Sequence, residues 1–200
     1  MSADLRVIEL PRDRAGVSRF LRVPYTIYRG DPCWVAPILS DRKKVLSDSN
    51  PFFAHARMAL WVAVRGGRDV GSIAGIVDDH HNARHRERTA FFGFFESPND
   101  PAVSQLLFGA VRAWAGRAGM IRLLGPMNPS INEECGLLVE GFDTPPVLMM
   151  TYNPPYYADL CAGPGSPRAR ICGRTGFLST IRSCADSSAS PPASSSACRK

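Results

Sequence analysis

Met58-Ala59-Leu60-Trp61-Val62-Ala63-Val64, then Gly66-Gly67-Arg68-Asp69, then Val70 to Val77 is the stretch that decides the fold. The first run reads as a strand, the glycine pair as a hairpin loop, and the second run as the returning strand. A polar loop, Asp78 to Arg88, leads on to a third strand at Thr89–Phe95, so the centre of the chain is an antiparallel meander.

Upstream, Val7-Ile8-Glu9-Leu10 is a short apolar run stopped by Pro11 and predicts a first strand. Arg14 to Tyr28 carries apolar residues at 17, 20, 21, 24, 27 and 28, a helical spacing in which Pro24 kinks the helix or starts a second one. Trp34, Val35, Pro37 and Ile38 anchor an irregular stretch, Asp41–Leu46 is another helical turn or two, and Asn50-Pro51 makes a turn before Phe52 and Phe53. Downstream, Asp100-Pro101 opens a helix, since Asp is a good N-cap and Pro suits the first helical position. Val103, Leu106, Leu107, Ala110, Val111 and Trp114 keep one face apolar, and Gly119 is the expected stop. Ile121–Leu124 reads as a strand, Met127–Pro146 as irregular, and Val147–Thr151 as a further strand. Asn153-Pro154-Pro155 is expected to cap a short helix bearing Tyr156, Tyr157 and Leu160.

After Leu160 the periodicity stops. Of the forty residues 161–200, 32 are Ser, Ala, Arg, Pro, Gly or Cys, which predicts a disordered low-complexity tail outside a domain of residues 1–160. So abrupt a change is also what a shifted reading frame in a GC-rich gene produces. The net charge of +6 divides at the same place. The tail holds six Lys/Arg and Asp186; removing them from the 24 basic and 18 acidic residues leaves 18 against 17 in the body. A body this close to neutral does not imply a nucleic-acid face. The six cysteines follow no zinc or CxxC spacing and read as reduced thiols. No apolar run approaches the roughly 18 residues that cross a membrane, and the start lacks an export signal, so the expected location is the cytoplasm.

Asn50-Pro51-Phe52-Phe53-Ala54-His55-Ala56, Phe91-Phe92-Gly93-Phe94-Phe95-Glu96 with Asn99-Asp100, Gly125-Pro126-Met127-Asn128, Gly136-Leu137-Leu138 and Tyr152-Asn153-Pro154-Pro155-Tyr156-Tyr157 resemble a mostly uncharacterised bacterial branch of the GNAT acyltransferase superfamily over residues 5–160. The resemblance implies an α/β fold with a mixed, mostly antiparallel sheet flanked by helices. Its fourth and fifth strands would be parallel and splayed around the pantetheine arm of acetyl-CoA or another acyl-CoA, with the following helix aimed at the pyrophosphate. The last two strands would fall where the tail lies, so the domain looks incomplete. An unpaired sheet edge would then favour self-association. The implied activity is acyl transfer from acyl-CoA to an amine or other small-molecule acceptor.

The family pattern singles out residues by position. Glu96 ends the fourth strand, where a general base sits; beside four phenylalanines its carboxyl would titrate high. Asn128 follows the fifth strand and would orient the thioester or the amine; its plainer reading is a turn residue before Pro129. Tyr156 or Tyr157 would protonate the thiolate, although the usual tyrosine position holds Leu160 here, and packing alone also explains them. Phe94, Phe95, Asn99 and Asp100 form the expected cofactor end. Glu96-Ser97-Pro98-Asn99-Asp100-Pro101 nevertheless has no glycine, two prolines and two acids where the family places a glycine-rich phosphate loop. That departure keeps a second reading open, a non-catalytic binding module that has lost its phosphate loop. Asp78-Asp79-His80-His81-Asn82 with His85 reads as polar surface rather than a metal site, and Phe91, Phe92, Phe94 and Phe95 as core residues on both faces of a strand.

Overall fold

A computed structural model describes residues 4–129, 133–147 and 150–162, together with the pairs 171–172, 177–178 and 182–183. The tail's low-complexity reading otherwise falls outside the described residues. The elements are β1 (Leu5–Leu10), α1 (Arg14–Phe20), α2 (Val23–Ile27), α3 (Leu39–Val45), β2 (Ala56–Arg65), β3 (Arg68–Asp78), α4 (Asp79–His85), β4 (Thr89–Glu96), α5 (Pro101–Arg117), β5 (Arg122–Leu124), α6 (Tyr157–Ala162), β6 (Ile171–Cys172), β7 (Phe177–Leu178) and β8 (Arg182–Ser183). One sheet runs β1-β2-β3-β4-β5-β8, and β6 pairs only with β7. All of its pairs are antiparallel except β4 with β5.

The apolar run of the meander follows from burial on both faces of the sheet. Leu60, Val62 and Val64 pack under α1 and α2 with Phe20, Leu21 and Val23. Ala59, Trp61 and Ala63 pack under α5 with Val103, Leu107 and Val111. Those three α5 side chains have no exposed surface, and each contributes about 1.5–3 kcal/mol of apolar burial. Among the described residues no helix is long and apolar enough to cross a membrane.

Several expectations are corrected. The loop Asp78–Arg88 contains α4, because the Asp78 carboxylate accepts from the N–H groups of His80 and His81 and starts a helix there. Val147, Met150 and Thr151 are not in a strand, and residues 148 and 149 lie outside the described residues. Asn153 does not cap α6. Its amide pins another segment, accepting from the Leu138 N–H (2.7 Å) and donating to the Leu138 carbonyl (3.2 Å). Cys161, grouped with the tail on composition, is buried in the core beneath α5. Pro24 starts α2, and Asp100 caps α5, as their positions imply.

Candidate active site

Three elements meet at the far end of β4: the strand itself, the start of α5, and α6. Strands β4 and β5 run parallel over Thr89/Arg122, Ala90/Leu123 and Phe91/Leu124, and the strand pairing then ends. Beyond it, Ser72 of β3 faces Glu96 while Ala74 faces Gly93, so β4 carries one extra residue across that interval. The bulge centres on Phe94, whose φ of +46° lies in the left-handed region, a conformation that costs a phenylalanine about 1–3 kcal/mol. It also turns Phe92 and Phe95 to the same face, where both pack on Phe108.

The chain after β5 holds the bulge in place. The Met127 N–H donates to the Phe92 carbonyl (2.7 Å), and the Phe94 N–H donates to Asn128 Oδ1 (3.0 Å). Gly93 permits this approach, since a Cβ there would stand 2.3 Å from the Met127 carbonyl oxygen. Asn128 is therefore engaged at both ends of its amide: Oδ1 on the bulge, and Nδ2 donating to Glu134 Oε2 (3.3 Å). Glu134 in turn pairs with Arg42 of α3.

A cavity of about 600 Å³ opens beside this bulge. Its walls include Phe94, Phe95, Glu96, Asn128, Glu134 and Tyr157, and across from them Tyr28, Trp34 and Arg42. Val35, Ile38, Val147 and Met150 also border it and remain exposed. Half-buried Glu96 accepts a 2.7 Å hydrogen bond from the Tyr157 hydroxyl, and Tyr28 reaches the same carboxyl. Loss of hydration pushes the Glu96 carboxyl up to about 7; the tyrosine hydrogen bonds oppose that shift, and the nearby Glu134 charge adds to it. Burial likewise holds the Tyr157 and Tyr28 hydroxyls well above their ordinary range, so both stay protonated donors.

Of the positions singled out in the sequence, Glu96, Asn128, Tyr157, Phe94 and Phe95 share this cavity. Tyr156 lies just behind it, its hydroxyl donating to the Ser97 carbonyl (3.1 Å). Asn99 is exposed and Asp100 is turned to Ala102 and Arg65; neither lines the cavity. Sequence reasoning missed Tyr28, Arg42 and Glu134. The last had a signal, a pair of acids at 133–134 inside an otherwise weakly charged irregular segment. His81 packs on His85 and Phe91, and no group of three metal-ligating side chains occurs among the described residues.

No family model matches the chain. The chain superposes on a tandem GNAT protein from the clavulanic acid biosynthesis pathway with a TM-score of 0.55, over 84% of this chain and 45% of that one, at 18% identity. It is also similar in structure to FeeM, an N-acyl amino acid synthase from uncultured soil microbes. The two superpose with a TM-score of 0.52 over 92% of each chain, at 12% identity. The chain has the GNAT fold. Two curated relatives share sequence with this GNAT domain. Protein YghO of Escherichia coli (strain K12) is 40% identical over 139 residues, covering 70% of this chain and 36% of the relative. A bacterial ceramide synthase of Caulobacter vibrioides (strain NA1000 / CB15N) is 41% identical over 157 residues, covering 78% and 41%. The chain thus spans less than half the length of these two relatives.

Proposed function

We propose that the domain transfers an acyl group from a thioester to an amine. The observation that carries this reading is Glu96: a carboxyl on the wall of the cavity beside the β4 bulge, held by a tyrosine and titrating near neutrality. At that value it is a base matched to a physiological pH. In the reaction the amine nitrogen bonds to the thioester carbonyl carbon as its proton passes to Glu96. The carbon–sulfur bond breaks and the thiolate leaves, taking a proton from Tyr157 or solvent. Tyr156 is set too far behind the cleft for that role and packs instead. Asn128 is a positioning residue, since both ends of its amide already hold the bulge and Glu134. Phe94 and Phe95 flank the arm of the donor.

The names of two similar proteins support this class of reaction: a ceramide synthase and an N-acyl amino acid synthase both form amides. The exposed apolar rim at Val35, Ile38, Val147 and Met150 suits a substrate with an alkyl chain, and Glu96 and Glu134 suit a cationic amine head. The domain is also proposed to self-associate through its sheet edge. The test of transfer is direct: incubate the protein with an acyl thioester and a panel of long-chain and short amines, and detect amide by mass spectrometry. Amide formed by the wild type and absent with Glu96→Gln is expected. Equal product with both proteins would reject Glu96 as the base. The segment Glu96–Pro101, with no glycine and two prolines where the family has its phosphate loop, favours the second reading, a binding module, and amine binding without amide formation from any thioester would establish it.

A further inference from the structure

The start of α5 is the place where a coenzyme A diphosphate would be expected to bind, and its backbone leaves little to bind with. A diphosphate held there needs several free N–H groups converging on it. From Ser97 to Ser104 these donors are already committed. The Ser97 N–H donates to the Tyr157 hydroxyl (3.0 Å), and that of Asp100 to the Pro98 carbonyl (2.6 Å). The Ala102 N–H donates to Asp100 Oδ1 (2.9 Å), and those of Val103 and Ser104 to the Asp100 carbonyl (3.1 and 3.2 Å). Pro98 and Pro101 have no N–H. Within Ser97–Ser104, among the described residues, that leaves the backbone N–H of exposed Asn99. Charge acts in the same direction. Arg65 is held on Asp100 Oδ2 at 2.7 Å, and Asp100 and Glu96 would both repel an anion.

We infer that the acyl donor is selected by its acyl group and thioester arm, with no contribution from a nucleotide diphosphate at α5. Asp100 is the residue that decides this: it fills the helix end a phosphate would use and also occupies Arg65. The donor class is therefore any acyl thioester whose arm fits the cavity beside the β4 bulge, whatever carries that arm. The inference about the donor rests on the acyl-transfer reading, but the closure of α5 is independent of it.

The experiment has two arms on the full chain. In the first, kcat/KM is compared for one acyl group carried on coenzyme A, on pantetheine and on N-acetylcysteamine, with a single amine acceptor. Coenzyme A and pantetheine thioesters within about threefold of each other are expected; a coenzyme A preference of about a hundredfold overturns the inference. In the second, calorimetry compares coenzyme A with pantetheine as ligands. Equal affinity, or no heat from either at millimolar concentration, supports a closed helix end; coenzyme A tighter by about tenfold or more overturns it. If no thioester acts as donor, the acyl-transfer reading fails, and the calorimetry still decides whether α5 takes the nucleotide.

Discussion

Glu96 concentrates the chemistry in one side chain, and its environment makes two measurable statements. As a base it must be ionised, so transfer should rise with pH and level off above about 7, the value to which burial pushes its carboxyl. A flat profile from pH 5.5 to 8.5 would remove Glu96 from the mechanism. The same shift acts on stability. The folded protein binds this proton more tightly than the unfolded chain, so the stabilisation it brings is complete below about 4.5 and lost as pH rises through about 7. Glu96→Gln cannot ionise and should escape that loss. Relative to wild type it should gain on the order of 1–3 kcal/mol on going from pH 5 to pH 8, read from urea unfolding at both values. Its transfer rate should meanwhile fall by about 10²-fold or more.

At the scale of the element, β4 and the turn after β5 hold each other in place. Gly93 lets the Met127 carbonyl approach β4, and Asn128 takes the Phe94 N–H that the bulge would otherwise leave without a partner. Gly93→Ala should push residues 126–128 off the strand, lowering both the melting temperature and transfer. Asn128→Ala should cost about 1 kcal/mol by stranding the half-buried Phe94 N–H, with a fall in kcat greater than any rise in KM, as a positioning role requires. Unchanged kinetics in a folded Asn128→Ala protein would show that the bulge needs no staple. At α5, Asp100→Ala removes the cap and the Arg65 partner together, and thermal melts should show a loss of about 0.5–2 kcal/mol.

For the whole molecule, the sheet is the organising layer, covered by α1 and α2 on one face and by α5 and α6 on the other. Beyond β5 only Arg182 and Ser183 continue the sheet among the described residues, and Ile121 beside it is 41% exposed. The self-association proposed above would use this side of the sheet, since unpaired strand groups can template a second copy. Sedimentation velocity should therefore show a weight-average mass that grows with concentration. A monomer across the whole range, with a concentration-independent melt, would count against the edge as a contact.

Most of the elements were legible in the sequence because local chemistry dictates them. An unbroken apolar run interrupted by Gly66-Gly67 makes a buried hairpin, and Asp100-Pro101 followed by an apolar stripe makes a capped helix. Glu96 was legible as a candidate because it ends a strand rich in phenylalanine. The cleft was not, because it is assembled from residues far apart in the chain. Glu96 and Tyr157 are 61 positions apart, and Arg42 and Glu134 are 92 apart. The roles of Asn128 and Asn153 also had to wait for coordinates, since an amide before or after a proline has the same sequence signature whether it turns the chain or pins a distant strand. By itself the sequence determined most of the strands and helices, though not α4 or the irregular course of Val147–Thr151, and that the phosphate loop lacks its glycines. Tertiary structure alone decided where β4 bulges against the chain after β5, what surrounds the Glu96 carboxyl and which donors at α5 are spent, because these depend on long-range packing and the desolvation it imposes.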